Sequence, residues 1–129
     1  MSEATPKWMR TTGIVLSVLP ALALISSALM KITHNPTMID KMNSVFQFPE
    51  SLATTLGVLE ILCTVVYLIP ATSVLGAILL TGYLGGAVAT HVRVHDVFIP
   101  PLMLGIFVWA GLFLRDPRLR QLLPLRKPA

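Results

Sequence analysis

Few residues in this sequence could do chemistry, and most of them are set inside or against apolar runs. Glu60 is the sharpest case. It stands near the middle of an apolar run over 52–69, about 12 Å from the start of the helix at 1.5 Å per residue. An acid at that depth costs roughly 2.5–3.5 kcal/mol on insertion scales, so it must find a partner or keep its proton. Lys31, His91 and Arg93 are bases belonging to the same outer half of the chain, and Glu60 is expected to face inward and pair with one of them. Tyr83 and His91 fall within about a quarter turn on one helix, with Ala87 between them. Tyr67 faces the same way as Glu60, together with Gly57 and Thr64. A tyrosine, a histidine and a carboxylate around a cavity lined by small residues would suit a quinone or another flat apolar ligand with a polar head. The candidate ligand-binding cluster is therefore Glu60, His91, Arg93, Lys31, Tyr83 and Tyr67. The competing reading of the same residues is a buried ion pair that fixes helix register, with the tyrosines as packing residues.

Other chemistries have less to stand on. His91 and His95 are four apart with Asp96 adjacent, which on a continuous helix is metal-ligand spacing. The helix is expected to end by Arg93, and only Asp96 or His34 could add a third ligand, so no metal site is assigned. No nucleophile–base–orienter set and no glycine-rich phosphate loop appears, so no catalytic residue is assigned and hydrolase and nucleotide-dependent readings fall away. The single cysteine, Cys63, excludes an internal disulfide and a CxxC redox pair. In an apolar run it behaves as a small hydrophobe.

The elements that must position these residues are membrane helices. Of 129 residues, 54% are apolar and 12% charged. A soluble domain is about a quarter charged, so much of this surface must face lipid. The net charge of +4 comes from bases at the ends of apolar runs, without interleaved aromatics, and nucleic acid is not an expected partner. Four runs read as crossings: 12–32, 52–69, 72–92 and 98–114. The fold class is thus all-α, a single four-helix membrane domain, with an interfacial tail over 115–129. The first run also has the form of a signal peptide, with Ser26-Ser27-Ala28 as a cleavage site, but its length and the three runs after it favour a retained helix. Pro20 should kink it, and Pro20, Ser27 and Lys31 fall on one stripe.

Between the first two crossings, Thr37 and Asp40 resemble a capping box. Met38, Ile39, Met42, Val45 and Phe46 then recur at helical spacing. This predicts a short amphipathic helix that lies on the membrane or lids the bundle, with an ordered loop as the alternative. Pro70-Ala71 makes the second and third crossings an antiparallel hairpin. The third is rich in small residues, and its Gly82 and Gly86 form a GxxxG read as close helix contact, within the bundle or between subunits. Asp116 and Pro117 are N-cap and first residue of a short interfacial helix through Leu123, whose Arg118 and Arg120 reach headgroups. Lys7, Arg10, Arg115, Arg118, Arg120, Arg126 and Lys127 flank one side of the bundle, while Lys31, Lys41 and Arg93 flank the other. That asymmetry predicts a multi-pass cell-membrane protein with both termini cytoplasmic.

Gly57-Val58-Leu59-Glu60, then Tyr67-Leu68-Ile69-Pro70, then the whole block from Leu75 through Thr81-Gly82-Tyr83 and Gly85-Gly86 to His91-Val92-Arg93, closely resemble the DoxX-like family of small membrane proteins. Lys31 closing the first helix and Arg115-Asp116-Pro117-Arg118-Leu119-Arg120 closing the fourth add to the resemblance. It implies a four-helix integral membrane bundle, mostly bacterial, whose wider relatives include subunits of quinone-linked sulfur oxidation, members of membrane oxidoreductase assemblies and receptor-assembly chaperones. It hands over no catalytic residue. Two function classes follow: a redox-associated subunit that binds a quinone-like ligand, with quinone as the one cofactor to consider, or a non-catalytic membrane partner or assembly protein. Beyond the lipid bilayer, its partners would be another membrane protein or further copies of itself. A small transporter is the weakest idea, because four short helices with one buried acid offer little pathway.

Overall fold

The computed structural model describes residues 5–128. The helices are α1 (Lys7–Ile32), α2 (Pro36–Ser44), α3 (Ser51–Leu68), α4 (Ser73–Arg93), α5 (Ile99–Arg115) and α6 (Pro117–Arg120). A single 3₁₀ turn, Pro70–Thr72, joins α3 to α4. There is no strand among the described residues, and the fold is an all-α membrane bundle, as the apolar runs predict. Helices α1, α3 and the stretch Pro70–Arg93 are long and apolar enough to cross a bilayer. At 17 residues, α5 lies at the short end of the spanning range. The first helix begins at Lys7, ahead of the apolar run at 12, because Pro6 precedes it and nothing in Lys7–Thr11 breaks a helix. It also continues through Pro20, which is buried.

Helix α1 packs on both α3 and α5, and α4 packs on the same two, so the four long helices close a ring with α1 diagonal to α4. Leu24, Tyr67, Ala77, Leu80, Leu84, Val108 and Leu112 fill the core, with Leu119 of α6 against it. Leu19, Leu22, Leu62, Ile78 and Ile106 point outward, as a lipid-facing surface requires.

The tight helix contacts are not where the GxxxG motif puts them. A Cβ added at Gly82, Gly85 or Gly86 would meet nothing within 4 Å, so none of the three marks a close contact with another helix of the bundle. The close approaches lie elsewhere. A Cβ on Gly13 would come within 2.8 Å of the Gly111 carbonyl, joining α1 to α5, and one on Gly57 within 2.9 Å of the Ala28 carbonyl, joining α3 to α1. Gly76 lies against the backbone of Tyr67.

Helix ends follow local chemistry, with two departures from expectation. The cap of α2 is Asn35, whose side chain accepts from the N–H of Thr37 and Met38 at 3.0 and 3.4 Å. Pro36 has no N–H to satisfy and a preset φ, so it makes a better first helical residue than Thr37 makes a cap. At the other end of the chain Asp116 does cap α6, accepting from Arg118 N–H at 2.9 Å. That helix stops at Arg120 and not at Leu123. Arg120 turns back to donate to the carbonyls of Phe113 and Leu114 at 2.9 Å each, occupying two orphan acceptors of α5. Arg118 folds onto Asp116 at 3.2 Å.

Helices α1 and α4 end alike. After α1, His34 N–H donates to the Lys31 carbonyl and Asn35 N–H to Met30; after α4, His95 N–H donates to Val92 and Asp96 N–H to His91. These are Schellman turns with a histidine in the left-handed position, φ 54° at His34 and 58° at His95. The second turn removes His95 from the α4 helix face, so His91 and His95 do not share a metal-binding face. Among the described residues no three His, Cys, Asp or Glu side chains cluster as a metal site.

Candidate functional site

The bases and acids of the outer half fall into two groups. The inner group is built on Lys31, in the last turn of α1. Its ammonium donates to Ser27 Oγ at 2.9 Å, Glu60 Oε1 at 2.8 Å and the Tyr83 hydroxyl at 3.1 Å. Ser27 lies one turn back on the same helix face, Glu60 comes from the middle of α3 and Tyr83 from α4. The ion pair is buried, with the Lys31 and Glu60 side chains 13% and 3% exposed. An ammonium has three donors, and here each has an acceptor. The Tyr83 hydroxyl accepts from Lys31, so its own proton remains available to Glu60 or to a molecule beside it. Lys31 and Tyr83 thereby tie the diagonal helices α1 and α4 together through α3.

The outer group is held by the turn after α4. Its C-terminal Schellman hydrogen bonds turn Asp96 back toward His91, and Asp96 Oδ2 sits 3.6 Å from both Lys41 Nζ and His91 Nε2. The other ring nitrogen of His91 faces the Ala87 carbonyl at 2.7 Å. A carbonyl only accepts, so Nδ1 carries a proton and Nε2 is the nitrogen presented to Asp96. Phe46 packs edge-on against the His91 ring, with centroids 4.8 Å apart. Arg93 donates to the Phe46 carbonyl and lies over the Phe48 ring. Lys41, Phe46 and Phe48 belong to α2 and the loop after it, so this group pins that segment over the bundle as a lid. Buried Met42 and Phe46 form the underside of the lid.

Between the two groups lies a cavity of about 490 Å³. Its polar lining comes from Lys31 and Tyr83 at one level and Lys41 and His91 at the other, with Ser27 and Thr90 beside them. Its apolar lining comes from the methionines and phenylalanines of the lid and from Leu52 and Leu56 of α3. Gly82 and Gly86 form part of its wall. Every ionisable group that lines it is basic or phenolic; the carboxylates of Glu60 and Asp96 stand behind Lys31, Lys41 and His91.

A comparison with known families matches this sequence to the DoxX-like family over residues 15–111, from α1 almost to the end of α5. The chain belongs to the DoxX-like family. No curated protein and no solved structure matches it. The matched span contains all six candidate residues, whereas the Arg115–Arg120 segment that added to the resemblance lies beyond it.

Within this DoxX-like bundle the structure brings Glu60, Lys31 and Tyr83 into contact, places His91 across the cavity from them and gives Arg93 to the lid. Tyr67 faces inward as predicted, but it belongs to a separate node at the end of the bundle that holds the termini. There its hydroxyl lies 2.7 Å from the Val108 carbonyl and 3.0 Å from Ser17 Oγ, which also receives Arg115 Nε at 3.0 Å. Seven residues of helix separate Tyr67 from Glu60, about 10 Å along the axis, enough to put two residues of one face in different sites. Lys41 and Phe46, which line the cavity, were not singled out as ligand-facing residues by the sequence. The amphipathic spacing of 38–46 marks a lid, but where it docks depends on the turn after α4. No pattern in the chain announces that turn, because its left-handed position is filled by histidine and not glycine.

Proposed function

We propose that this DoxX-like protein is a redox-associated membrane subunit that binds a quinone-like, lipid-soluble ligand in the cavity between Lys31, Tyr83 and His91. The observation that carries the reading is the sign of the lining. The ionisable side chains facing the cavity are basic or phenolic, both carboxylates stand behind them, and most of the remaining wall is apolar. A quinone offers only acceptors at its head, is flat and apolar around it, and lives in the bilayer. The cavity volume lies within the usual range for small-molecule sites, about 300–1,000 Å³. In this reading the Tyr83 hydroxyl donates to one carbonyl while Lys31, itself paired with Glu60, holds Tyr83 in place, and Lys41 addresses the opposite end of the head. The test is purification from native membranes in mild detergent, followed by mass spectrometry of the extracted lipids. Near-stoichiometric quinone, lost on Tyr83→Phe with the fold intact, is the expected result. A folded, quinone-free wild type overturns it.

One observation favours a second reading. All three Lys31 donors are already satisfied inside the bundle, as they would be in a purely structural clasp. The protein would then be a non-catalytic partner or assembly factor, and the same purification would yield a co-purifying membrane enzyme without ligand. In either reading the protein sits in the cell membrane with both termini cytoplasmic, supported by the excess of Lys and Arg at the end that holds them.

A further inference from the structure

The cavity has walls of different character, and the difference implies a route. Above it, the lid is fastened by Arg93 to the Phe46 carbonyl, by Phe46 on His91 and by Lys41 at Asp96, with Met42 and Phe46 buried beneath. Toward the bundle centre it is closed by the Lys31–Glu60–Tyr83 contacts. Along α4 it is bounded by Gly82 and Gly86, which have no side chain, are exposed, and have nothing within 4 Å of where a Cβ would stand. Gly86 lies seven residues before the end of α4, about 10 Å below it, so this opening lies at the level of the hydrocarbon and not of the headgroups. Glycine is the weakest helix former after proline, and no helix contact explains its presence at these two positions.

We infer that the gap along Gly82 and Gly86 is a lateral portal: the ligand enters the cavity sideways from the bilayer, head first toward Tyr83, and its single hydrocarbon tail leaves across the two glycines into lipid. This rests on the ligand reading above and adds to it the ligand's class, a one-tailed amphiphile with an acceptor head, and its route. The path from the head position into lipid passes over Gly82 and Gly86, where no side chain crosses it, and their spacing of one turn, about 6 Å along the axis, suits a single chain. A Cβ at either glycine meets nothing within 4 Å, so the bundle tolerates a side chain there, and leucine places one in that path.

The test uses a photoactivatable azido-decylubiquinone with protein reconstituted in phosphatidylcholine nanodiscs, and cross-linked residues read by mass spectrometry. With the azide on the ring the wild type is expected to label around Tyr83, and with the azide at the end of the decyl chain it is expected to label along α4. Gly82→Leu and Gly86→Leu are expected to reduce labelling about ten-fold or more, with no loss of thermal stability. Gly85→Leu is the control: it lies on the same helix and equally unpacked, but borders a different groove, against α5. It should label as the wild type does. Wild-type labelling in Gly82→Leu and Gly86→Leu overturns the portal while leaving the ligand reading standing, as does an equal loss in Gly85→Leu. A wild type that does not label overturns the ligand reading and the portal with it.

Discussion

At the scale of single residues, the pairing of Lys31 with Glu60 governs the behaviour of the outer half of the bundle. Each charge is affordable in hydrocarbon only because the other is there, and Ser27 and Tyr83 complete the shell. Removing one partner leaves an uncompensated charge, whereas removing both leaves a packing problem only. Lys31→Met is therefore expected to cost about 3–5 kcal/mol, and Lys31→Met combined with Glu60→Met to return to within about 1 kcal/mol of the wild type. Unfolding in mixed micelles followed by circular dichroism measures both. If the double replacement costs as much as Lys31→Met alone or more, the residues are not coupled and the clasp does not exist. The pairing also explains why an acid can stand in the middle of a helix that meets the length and apolarity of a membrane span.

At the scale of elements, the glycines divide by what they touch. Gly111 sits where α5 crosses α1, with the Ser17 backbone nitrogen 2.8 Å from the place a Cβ would occupy, and neither backbone can yield without separating the helices. Gly86 touches nothing. Alanine should act oppositely at the two: Gly111→Ala is expected to destabilise by about 1–3 kcal/mol through overpacking, and Gly86→Ala to stabilise by about 0.5–1 kcal/mol through helix propensity. The same unfolding measurement checks both signs. The short helix α6 gives a pH-dependent counterpart. Burial pushes the Asp116 carboxyl up, but the hydrogen bonds and charge of Arg118, with the Arg118 and Leu119 N–H groups, outweigh it and hold it below its ordinary value of 3.8. A lowered folded value contributes stability that is fully present above the unfolded value and is lost as pH falls through the folded one. Docking of α6 should thus hold at neutral pH and weaken below about pH 4. In Asp116→Asn the acid-dependent part should vanish while the cap survives, because asparagine caps as well as aspartate. Hydrogen exchange at Arg118 and Leu119 across that range reads it. These elements also mark how far the sequence can be read. Helix number, the α3–α4 hairpin, the prolines in the first turn of α5 and the Asp116 cap are local or periodic signals, and the structure has them. The role of Gly82 and Gly86, the true cap of α2, and the separation of Tyr67 from Glu60 depend on which helices touch and at what height. A one-dimensional pattern carries neither.

At the scale of the whole molecule, the two ends of the bundle are built for different tasks. The end that holds the termini is closed: Gly13 and Gly111 bring α1 and α5 together, Ser17, Tyr67 and Arg115 exchange hydrogen bonds in the core, and Arg120 ties α5 to Thr5. The opposite end is open in its interior and roofed by α2, with the two basic groups facing inward. At the open end Lys31 and Lys41 line the cavity and Arg93 holds the lid, while at the closed end Arg115 and Arg120 hold the helices together. Lysine and arginine near helix ends orient a membrane protein, and the end that holds the termini carries seven of them against three. Lys31 is paired within the bundle, and Lys41 and Arg93 are engaged in the lid. The expected topology therefore puts the lid and cavity outside the cytoplasm and the 70–71 turn inside. In a Cys63→Ala background, Ser44→Cys should react with a membrane-impermeant maleimide on intact cells, and Ala71→Cys only after permeabilisation. The reverse pattern would mean that the lid faces the cytoplasm, and that the basic residues at the closed end do not set the orientation of this bundle.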